Sequence, residues 1–424
     1  MKIKTKTLSY DEVMALPRGK RHMPLKPLFL LQLVVRLLGI FDLMATQFTF
    51  ERHGMEQIEK GEPCLILMNH SSFLDLKIAS RIFFPKPYSI ICTEDGFVGK
   101  RLLMRLLGCI PTQKFVSDLT LIRDMEYMLK TKRTSVLMFP EASYSFDGTA
   151  TALPRKMGVL LKKLGVPVVT VITQGAFARD PLYNGLQKRK VRVRADVTCL
   201  ATKEQLNELS VAQLDEMLDN AFSFDNFRYQ QENRIEISEP FRADGLNRIL
   251  YRCPHCNAEG TTVGKGTTLT CQNCGKVYTL DPYGYLTAED AAFTHIPDWY
   301  AWQRQQVRRE LEEGTYRLER NVQIGMLVNT KALYMVGSGK LIHDADGFHL
   351  TGCDGKLDYS QGPLFCYSLY ADYFWYEIGD VICIGNKDAL YYCFPEGGDV
   401  VAKTRLATEE LYKLKKGRKA PAAV

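Results

Sequence analysis

The sequence predicts an α/β fold, a mixed and largely parallel sheet flanked by helices, extended by a cysteine ribbon and a small all-β domain. Three observations carry this. Between about residues 61 and 200, short apolar runs alternate with helix-like runs, as strands and crossover helices do. Two C-x-x-C pairs follow at Cys253/Cys256 and Cys271/Cys274. From Tyr316 onward, short alternating segments recur between turn signals.

A length of 424 residues suggests two or three domains with ample core. With 46% hydrophobic and 24% charged residues, the composition excludes a disordered or multi-span chain. The net charge of +7 suits contact with anionic lipid heads or thioester carriers, and equally an ordinary soluble surface. Of twelve cysteines, Cys64, Cys92, Cys109, Cys199, Cys366, Cys383 and Cys393 lie in apolar surroundings and read as reduced core thiols, whereas Cys353 sits in a more polar stretch. No apolar core follows the charged opening, so a secretory signal is not expected and a reducing cytoplasmic setting is.

Taken in order, residues 1–50 are expected to be a membrane-associating helical segment. Its apolar part, 28–41, is shorter than the roughly 20 residues of a spanning helix and is interrupted by Gln32 and Arg36. Arg18, Lys20, Arg21 and Lys26 precede it, favouring a helix lying in one leaflet over one covering the protein's own core. An α/β domain is expected over 51–250. Its strands fall at 64–68, 88–92, 135–139, 166–173 and 191–199, with helices at 72–83, 97–107, 119–130 and 154–164. Ser71 or Ser72 is a suitable N-cap for the first helix. In 97–107, Val98, Leu102 and Leu106 form one stripe, predicting a core-facing helix with Lys100, Arg101 and Arg105 outside. Residues 202–222 read as a helical connector and 244–251 as a short helix.

The ribbon is expected over 251–280 and a helical connector over 281–315, where Trp299, Tyr300 and Trp302 read as packing between domains. Over 316–424, turns at Gly337-Ser338-Gly339, Asp346-Gly347, Asp354-Gly355 and Gly385-Asn386 separate strands, and a helix closes the chain at 408–416. Strands followed by one helix resemble a pleckstrin-homology or GRAM-like module. The basic tail Lys413, Lys415, Lys416, Arg418 and Lys419 reads as a solvated terminus.

Two islands carry the chemistry. Asn69-His70-Ser71-Ser72-Phe73-Leu74-Asp75 follows a buried strand and sets a histidine near a carboxylate one helical turn in. Phe139-Pro140-Glu141 ends another strand, and in an open α/β sheet ligands bind at strand carboxyl ends. The histidine, with an ordinary pKa near ~6.5, is a natural base for an alcohol, and an aspartate on its other nitrogen fixes the tautomer. An H-x4-D pair alone is common by chance.

Together the islands resemble the lysophospholipid acyltransferase family, the 1-acyl-sn-glycerol-3-phosphate acyltransferases among them, whose pattern is N-H-x-x-x-x-D followed by F-P-E-G-T-R-S. Gly108-Cys109-Ile110-Pro111 between them is also family-like. Leu153-Pro154-Arg155-Lys156-Met157-Gly158 resembles L-P-F-K-K-G, and Val166-Pro167-Val168-Val169-Thr170-Val171 resembles V-P-I-V-P-V. The resemblance covers about residues 25–200. It implies transfer of a fatty acyl group from acyl-CoA or acyl-carrier protein to a lysophospholipid hydroxyl, by default lysophosphatidic acid at sn-2, in membrane phospholipid synthesis. It implies His70 as base, Asp75 as its orienting partner, and Glu141 with Ser143, Tyr144 and Ser145 as the acceptor loop. Lys114, with Arg155 or Lys156, is the implied phosphate contact. A place on the cytoplasmic face of the membrane, peripheral or monotopic, follows from bilayer-dissolved substrates.

The chain departs from the pattern where G-T-R-S becomes Ala142-Ser143-Tyr144-Ser145, so the phosphate-gripping arginine is absent. Lys114 stands where an arginine is usual and keeps the charge without the bidentate fork. A non-phosphate or glycolipid acceptor is one alternative, and a non-catalytic lipid-binding scaffold on the same fold is another. Cys253, Cys256, Cys271 and Cys274, with fourteen residues between the pairs, have the spacing of a structural four-cysteine Zn2+ site. His255 reads as solvent-facing. Such ribbons also bind nucleic acid, but 260–270 carries only Lys265 and no aromatic face, so no nucleic-acid partner is expected.

Overall fold

The structure, a computed structural model, describes residues 2–19, 21–115, 119–154 and 156–417. The chain opens with a short strand, β1 (Thr5–Thr7), and a helix, α1 (Tyr10–Met14), whose Ser9 and Glu12 form a reciprocal capping box. Helix α2 (Phe29–Ala45) then leads into the first sheet.

That sheet contains β2 (Thr49–His53), β3 (Leu65–Met68), β4 (Tyr88–Thr93), β5 (Cys109–Thr112), β6 (Ser135–Met138), β7 (Val168–Gln174) and β8 (Arg194–Ala201), in the order β2-β8-β7-β3-β6-β4-β5. Strands β7, β3, β6, β4 and β5 run parallel, while β8 lies antiparallel to β7 and carries β2 with it. The mixed, largely parallel α/β sheet expected from the alternation is present. Side chains of β3 alternate between two cores, as the two-residue period of a strand demands. Ile66 and Met68 pack with Leu43 of α2 and with Ile78 of α3 (Asp75–Phe83). Leu65 and Leu67 pack with Met125 of α5 (Leu119–Glu126) and Leu161 of α6 (Met157–Leu164).

Local expectations are revised in several places. The first helix starts at Asp75, not Ser72, and its N-cap position is Leu74, without a side-chain cap. The expected helix at 97–107 is broken by Gly99, which adopts φ +73° and donates its N–H to Thr330 O at 3.0 Å; only α4 (Arg101–Leu106) is α-helical. Leu102 and Leu103 are exposed rather than core-facing. The stretch 202–222 forms two helices, α8 (Lys203–Glu208) and α9 (Val211–Ala221), after a short α7 (Ala176–Arg179). Leu214 and Leu218 of α9 are buried in the sheet's second core, so this segment covers the sheet as well as connecting it. Only Leu246–Arg248 of the expected helix at 244–251 is helical, as one 3-10 turn.

After α10 (Asn226–Glu232) comes a second, four-stranded sheet of β9 (Thr262–Lys265), β10 (Thr268–Cys271), β11 (Val277–Leu280) and β12 (Leu286–Thr287). Helix α11 (Ile296–Glu312) follows, with Trp299 fully buried and Tyr300 nearly so. The third sheet holds β13 (Leu318–Leu327), β14 (Leu333–Asp344), β15 (Gly347–Gly352), β16 (Leu357–Gln361), β17 (Tyr370–Trp375), β18 (Gly379–Gly385) and β19 (Leu390–Pro395), ordered β16-β15-β14-β13-β19-β18-β17. Helix α12 (Val401–Lys415) closes the chain and is longer than the expected 408–416. Its Lys413 is ion-paired with Glu410 rather than solvated, while Arg418 and Lys419 lie outside the described residues.

The N-terminal residues do not belong with α2. β1 adds parallel to β14, and Val13 of α1 is buried in the rear core. That core runs without interruption from the rear sheet through Trp299 and the ribbon's Leu269 and Tyr278 to Phe146 of the first lobe. None of the twelve cysteines forms a disulfide; Cys353 is buried, and Cys92 and Cys199 are half-buried.

Helix α2 is inverted relative to a helix covering its own protein. Its inward residues are Gln32, Gly39 and Leu43, with Gln32 donating to Tyr88 O at 3.0 Å and Arg36 reaching Arg81 O. The outward face carries Leu38 at 71%, Phe41 at 81% and Met44 at 70% exposure. Gly39 allows close approach to α3, because a Cβ there would meet Lys77 Cβ at 3.1 Å. Among the described residues no helix is long and apolar enough to cross a membrane.

Candidate active site

The two islands meet because their strands are neighbours. Leu67 of β3 pairs with Met138 of β6 in a parallel register, so the chain leaves both strands on the same edge of the sheet. Asn69 ties this edge to β7: its amide donates to Thr173 O, and its Oδ1 accepts the Thr173 N–H at 2.8 Å.

His70 follows at once. Its Nδ1 lies 2.9 Å from Asp75 Oδ2, which also accepts the backbone N–H groups of Ser71 (3.0 Å) and Ser72 (3.2 Å). With Nδ1–H donating to that carboxyl, Nε2 is left as an acceptor, the arrangement a general base needs. Burial, and then the cation of Lys114, holds the imidazolium of His70 well below its ordinary 6.5, favouring the neutral ring. Burial also pushes the Asp75 carboxyl up, against its two backbone donors.

Glu141 braces the islands. Its Oε2 accepts the His70 backbone N–H at 3.0 Å, and its Oε1 accepts the N–H and hydroxyl of Thr151 at 2.8 and 3.1 Å. It is 1% exposed, and burial raises it to about 7 against these donors and Arg405. In return, Ser145 N–H donates to His70 O at 3.1 Å. Glu141 thus shapes the loop from within.

The other loop residues divide. Ser143 is buried and donates to the adjacent Tyr144 carbonyl. The Ser145 hydroxyl donates to Thr149 O at 2.7 Å and accepts the Gly148 N–H, which commits it to the turn. Tyr144 faces the histidine: its ring lies 3.6 Å from that of His70, centroid to centroid, and the Phe73 ring lies nearly parallel to it at 5.4 Å. Burial, and then the nearby Asp75, raises its phenol well above 10, so the hydroxyl remains a donor. Ala142 holds φ +55°, a conformation that suits the glycine of the family pattern.

Lys114 is half-buried, with Nζ 4.1 Å from the ring centroid of Tyr370, and lines a narrow cleft with Phe115, Ser368 and Tyr370. Lys156 stands exposed at the head of α6, and the contacts that join the His70 group among the described residues do not include it. Arg155 lies outside the described residues.

Three contributors escaped the sequence reading. Phe139 stacks on the free face of His70 at 4.0 Å. Asp180 accepts from Ser72 Oγ at 2.5 Å, fixing the start of the Asp75 turn. Arg405 of α12 donates to Tyr144 O at 3.1 Å. Only Phe139 carried a signal, as the first residue of its own motif.

At the ribbon, the Sγ atoms of Cys253, Cys256, Cys271 and Cys274 all lie within 4.8 Å of one another. Cys253 and Cys274 are 3.8 Å apart, and Cys256 and Cys271 are 3.7 Å apart. A tetrahedral ion with metal–sulfur bonds of about 2.3 Å requires sulfur–sulfur edges of about 3.8 Å, so the cluster fits a structural metal. His255 is exposed.

Residues 49–174 match the family model described as Acyltransferase. Over this region the chain is 28% identical across 127 residues to the chloroplastic 1-acyl-sn-glycerol-3-phosphate acyltransferase BAT2 of Brassica napus, covering 29% of this chain and 36% of that protein. It is 27% identical across 128 residues to 1-acyl-sn-glycerol-3-phosphate acyltransferase beta of Homo sapiens, covering 29% of this chain and 45% of that one. The chain therefore spans less than half the length of either relative. Among solved structures, the 1-acyl-sn-glycerophosphate acyltransferase PlsC of Thermotoga maritima aligns with a TM-score of 0.33 at 17% identity, over 44% of this chain and 79% of that one, too weak a likeness to carry an argument.

Proposed function

With residues 49–174 matching the acyltransferase family, we propose that the protein moves a fatty acyl group from acyl-CoA or acyl-carrier protein to the hydroxyl of a lysophospholipid, with lysophosphatidic acid at sn-2 the first acceptor to test. The observation that carries this is the His70 Nδ1 to Asp75 Oδ2 pairing of 2.9 Å at the carboxyl edge of the sheet. A free alcohol is not ionised at neutral pH and needs a base within hydrogen-bond reach. Nε2 of His70 takes the acceptor's proton as its oxygen attacks the thioester carbonyl, and Asp75 stabilises the imidazolium that forms. Collapse of the tetrahedral intermediate expels the thiolate, which takes the proton back from His70. Lys114 supplies a positive charge beside this group, and Tyr144 a hydroxyl donor.

The site works at a membrane surface, on the cytoplasmic face, as a peripheral or monotopic protein. Support comes from the outward apolar face of α2 and the exposed Leu102 and Leu103 of α4, whose Leu106 O accepts the N–H of Leu28. The exposed Phe73 and Leu76, at the start of α3, extend apolar surface toward His70. The ribbon holds a structural Zn2+, and residues 316–417 form a PH- or GRAM-like module.

A second reading, acylation of a non-phosphate or glycolipid acceptor, is favoured by Tyr144 in place of arginine and by Asp372. Asp372 is buried within electrostatic reach of Lys114, and its Oδ1 has no hydrogen-bond partner among the described residues. Thiol release from a long-chain acyl-CoA and from an acyl-carrier protein, with phosphate-bearing and phosphate-free lysolipids, separates the two. Release that depends on lysophosphatidic acid supports the first reading; release only with phosphate-free acceptors supports the second. No acceptor-dependent release with either donor would leave a lipid-binding scaffold as the better account.

A further inference from the structure

The last helix of the chain reaches back to the catalytic loop. Arg405 of α12 is 3% exposed. Its Nη1 donates to Tyr144 O at 3.1 Å, its Nε donates to Glu409 Oε1 at 3.3 Å, and its guanidinium lies 4.4 Å from the ring centroid of Phe146. Glu409 is itself fixed: it accepts from Ser368 Oγ at 2.7 Å and from Arg304 of α11 at 2.6 Å. From β17, Tyr373 packs on Phe146 at 4.8 Å. Tyr370 of the same strand lies under Lys114 and donates its hydroxyl to Asp95 at 3.2 Å.

The loop 139–151 is therefore held from two sides. Glu141 and Thr151 hold it to its own sheet, and α12 with β17 hold it from the rear domain. A planar guanidinium shared between a carbonyl and a carboxylate fixes both partners more strictly than an ammonium would. The peptide it fixes is the one bearing Tyr144, whose ring covers His70 at 3.6 Å.

We infer that Arg405 is a positioning residue for acyl transfer, acting through Tyr144, and that the rear domain is thereby part of the catalytic unit rather than an appended module. This rests on the acyltransferase reading.

The test uses the full chain carrying Arg405→Lys and Arg405→Ala. Three quantities are read: melting temperature, hydrogen–deuterium exchange of peptides covering 139–151, and acceptor-dependent thiol release from a long-chain acyl-CoA with lysophosphatidic acid. The inference predicts that Arg405→Lys melts close to wild type, exchanges faster within 139–151, and loses at least tenfold in kcat/KM for the acceptor while the donor KM stays within twofold. Arg405→Ala should lose more; if it fails to fold, Arg405→Lys decides. Wild-type exchange and wild-type kcat/KM in Arg405→Lys would overturn the inference. So would a loss of activity that tracks a lowered melting temperature with exchange raised throughout the chain, since that is a purely structural role. If the wild-type protein turns over no acceptor, the acyltransferase reading fails on its own, while faster exchange confined to 139–151 still supports the clamp.

Discussion

His70 and Tyr144 stack face to face, their ring centroids 3.6 Å apart and their planes 27° from parallel. Phe139 covers the opposite face at 4.0 Å, and Asp75 takes Nδ1. With both faces and one nitrogen engaged, Nε2 is the ring nitrogen left for chemistry, which agrees with a side chain only 15% exposed.

Tyr144 contributes both a ring and a hydroxyl, and two variants separate them. Tyr144→Phe keeps the stack and should raise the acceptor KM about fivefold, the worth of one neutral hydrogen bond of about 1 kcal/mol, with kcat little changed. Tyr144→Ala also uncovers His70 and should lower kcat. Steady-state kinetics with varied acceptor read both; an unchanged KM in Tyr144→Phe would show that the hydroxyl does not meet the acceptor.

The legible part of this molecule is what neighbouring strands dictate. Apolar runs at 65–68 and 135–138 announce buried parallel strands, and once they pair, His70 and Glu141 must be close. Edge strands are harder to read: β2 is exposed along most of its length, and β5 is four residues long and contains Pro111. Ser143, Ser145 and Glu141 bond to backbone groups of their own loop and of His70, contacts that motif similarity does not specify. The inside-out face of α2 depends on Tyr88 O and Arg81 O receiving Gln32 and Arg36. Arg405, 261 residues from Tyr144, carried no local signal.

The outward face of α2 predicts vesicle binding. Leu38 and Phe41 are exposed, so Leu38→Glu with Phe41→Glu should leave the melting temperature unchanged. Each removes an apolar side chain whose burial is worth about 1.5–3 kcal/mol, so cosedimentation with anionic vesicles should weaken at least tenfold. Binding at wild-type strength would remove α2 from the membrane contact.

The ribbon is braced against α11: Trp299 Nε1 donates to Arg252 O at 2.8 Å, and Gln303 Nε2 donates to Ile249 O at 2.7 Å. Purified protein should carry about one zinc per chain, and strong chelation or Cys271→Ser should lower the melting temperature by several degrees. A melting curve indifferent to chelation in a protein shown to hold zinc would contradict a structural site.

Glu409 sets an acid limit on stability. Burial pushes its carboxyl up, but Arg304, Arg405 and Ser368 outweigh this and hold it at about 2, below an ordinary 4.5. A carboxyl lowered in the folded state contributes stability that is complete above the unfolded value and is lost as pH falls through the folded one. The contribution, on the order of 3 kcal/mol at neutral pH, should therefore fade between about pH 4.5 and 2. Glu409→Gln should destabilise strongly at pH 7 and progressively less toward pH 3. A difference in melting temperature that does not shrink with falling pH would contradict the assignment.

The most direct test of the central claim is acceptor-dependent thiol release by wild type, His70→Ala and Asp75→Asn, each confirmed folded by its melting curve. The account predicts release by wild type, none above background in His70→Ala, and a large loss in Asp75→Asn, where the tautomer is no longer held by a carboxylate. Equal release by wild type and His70→Ala would contradict it.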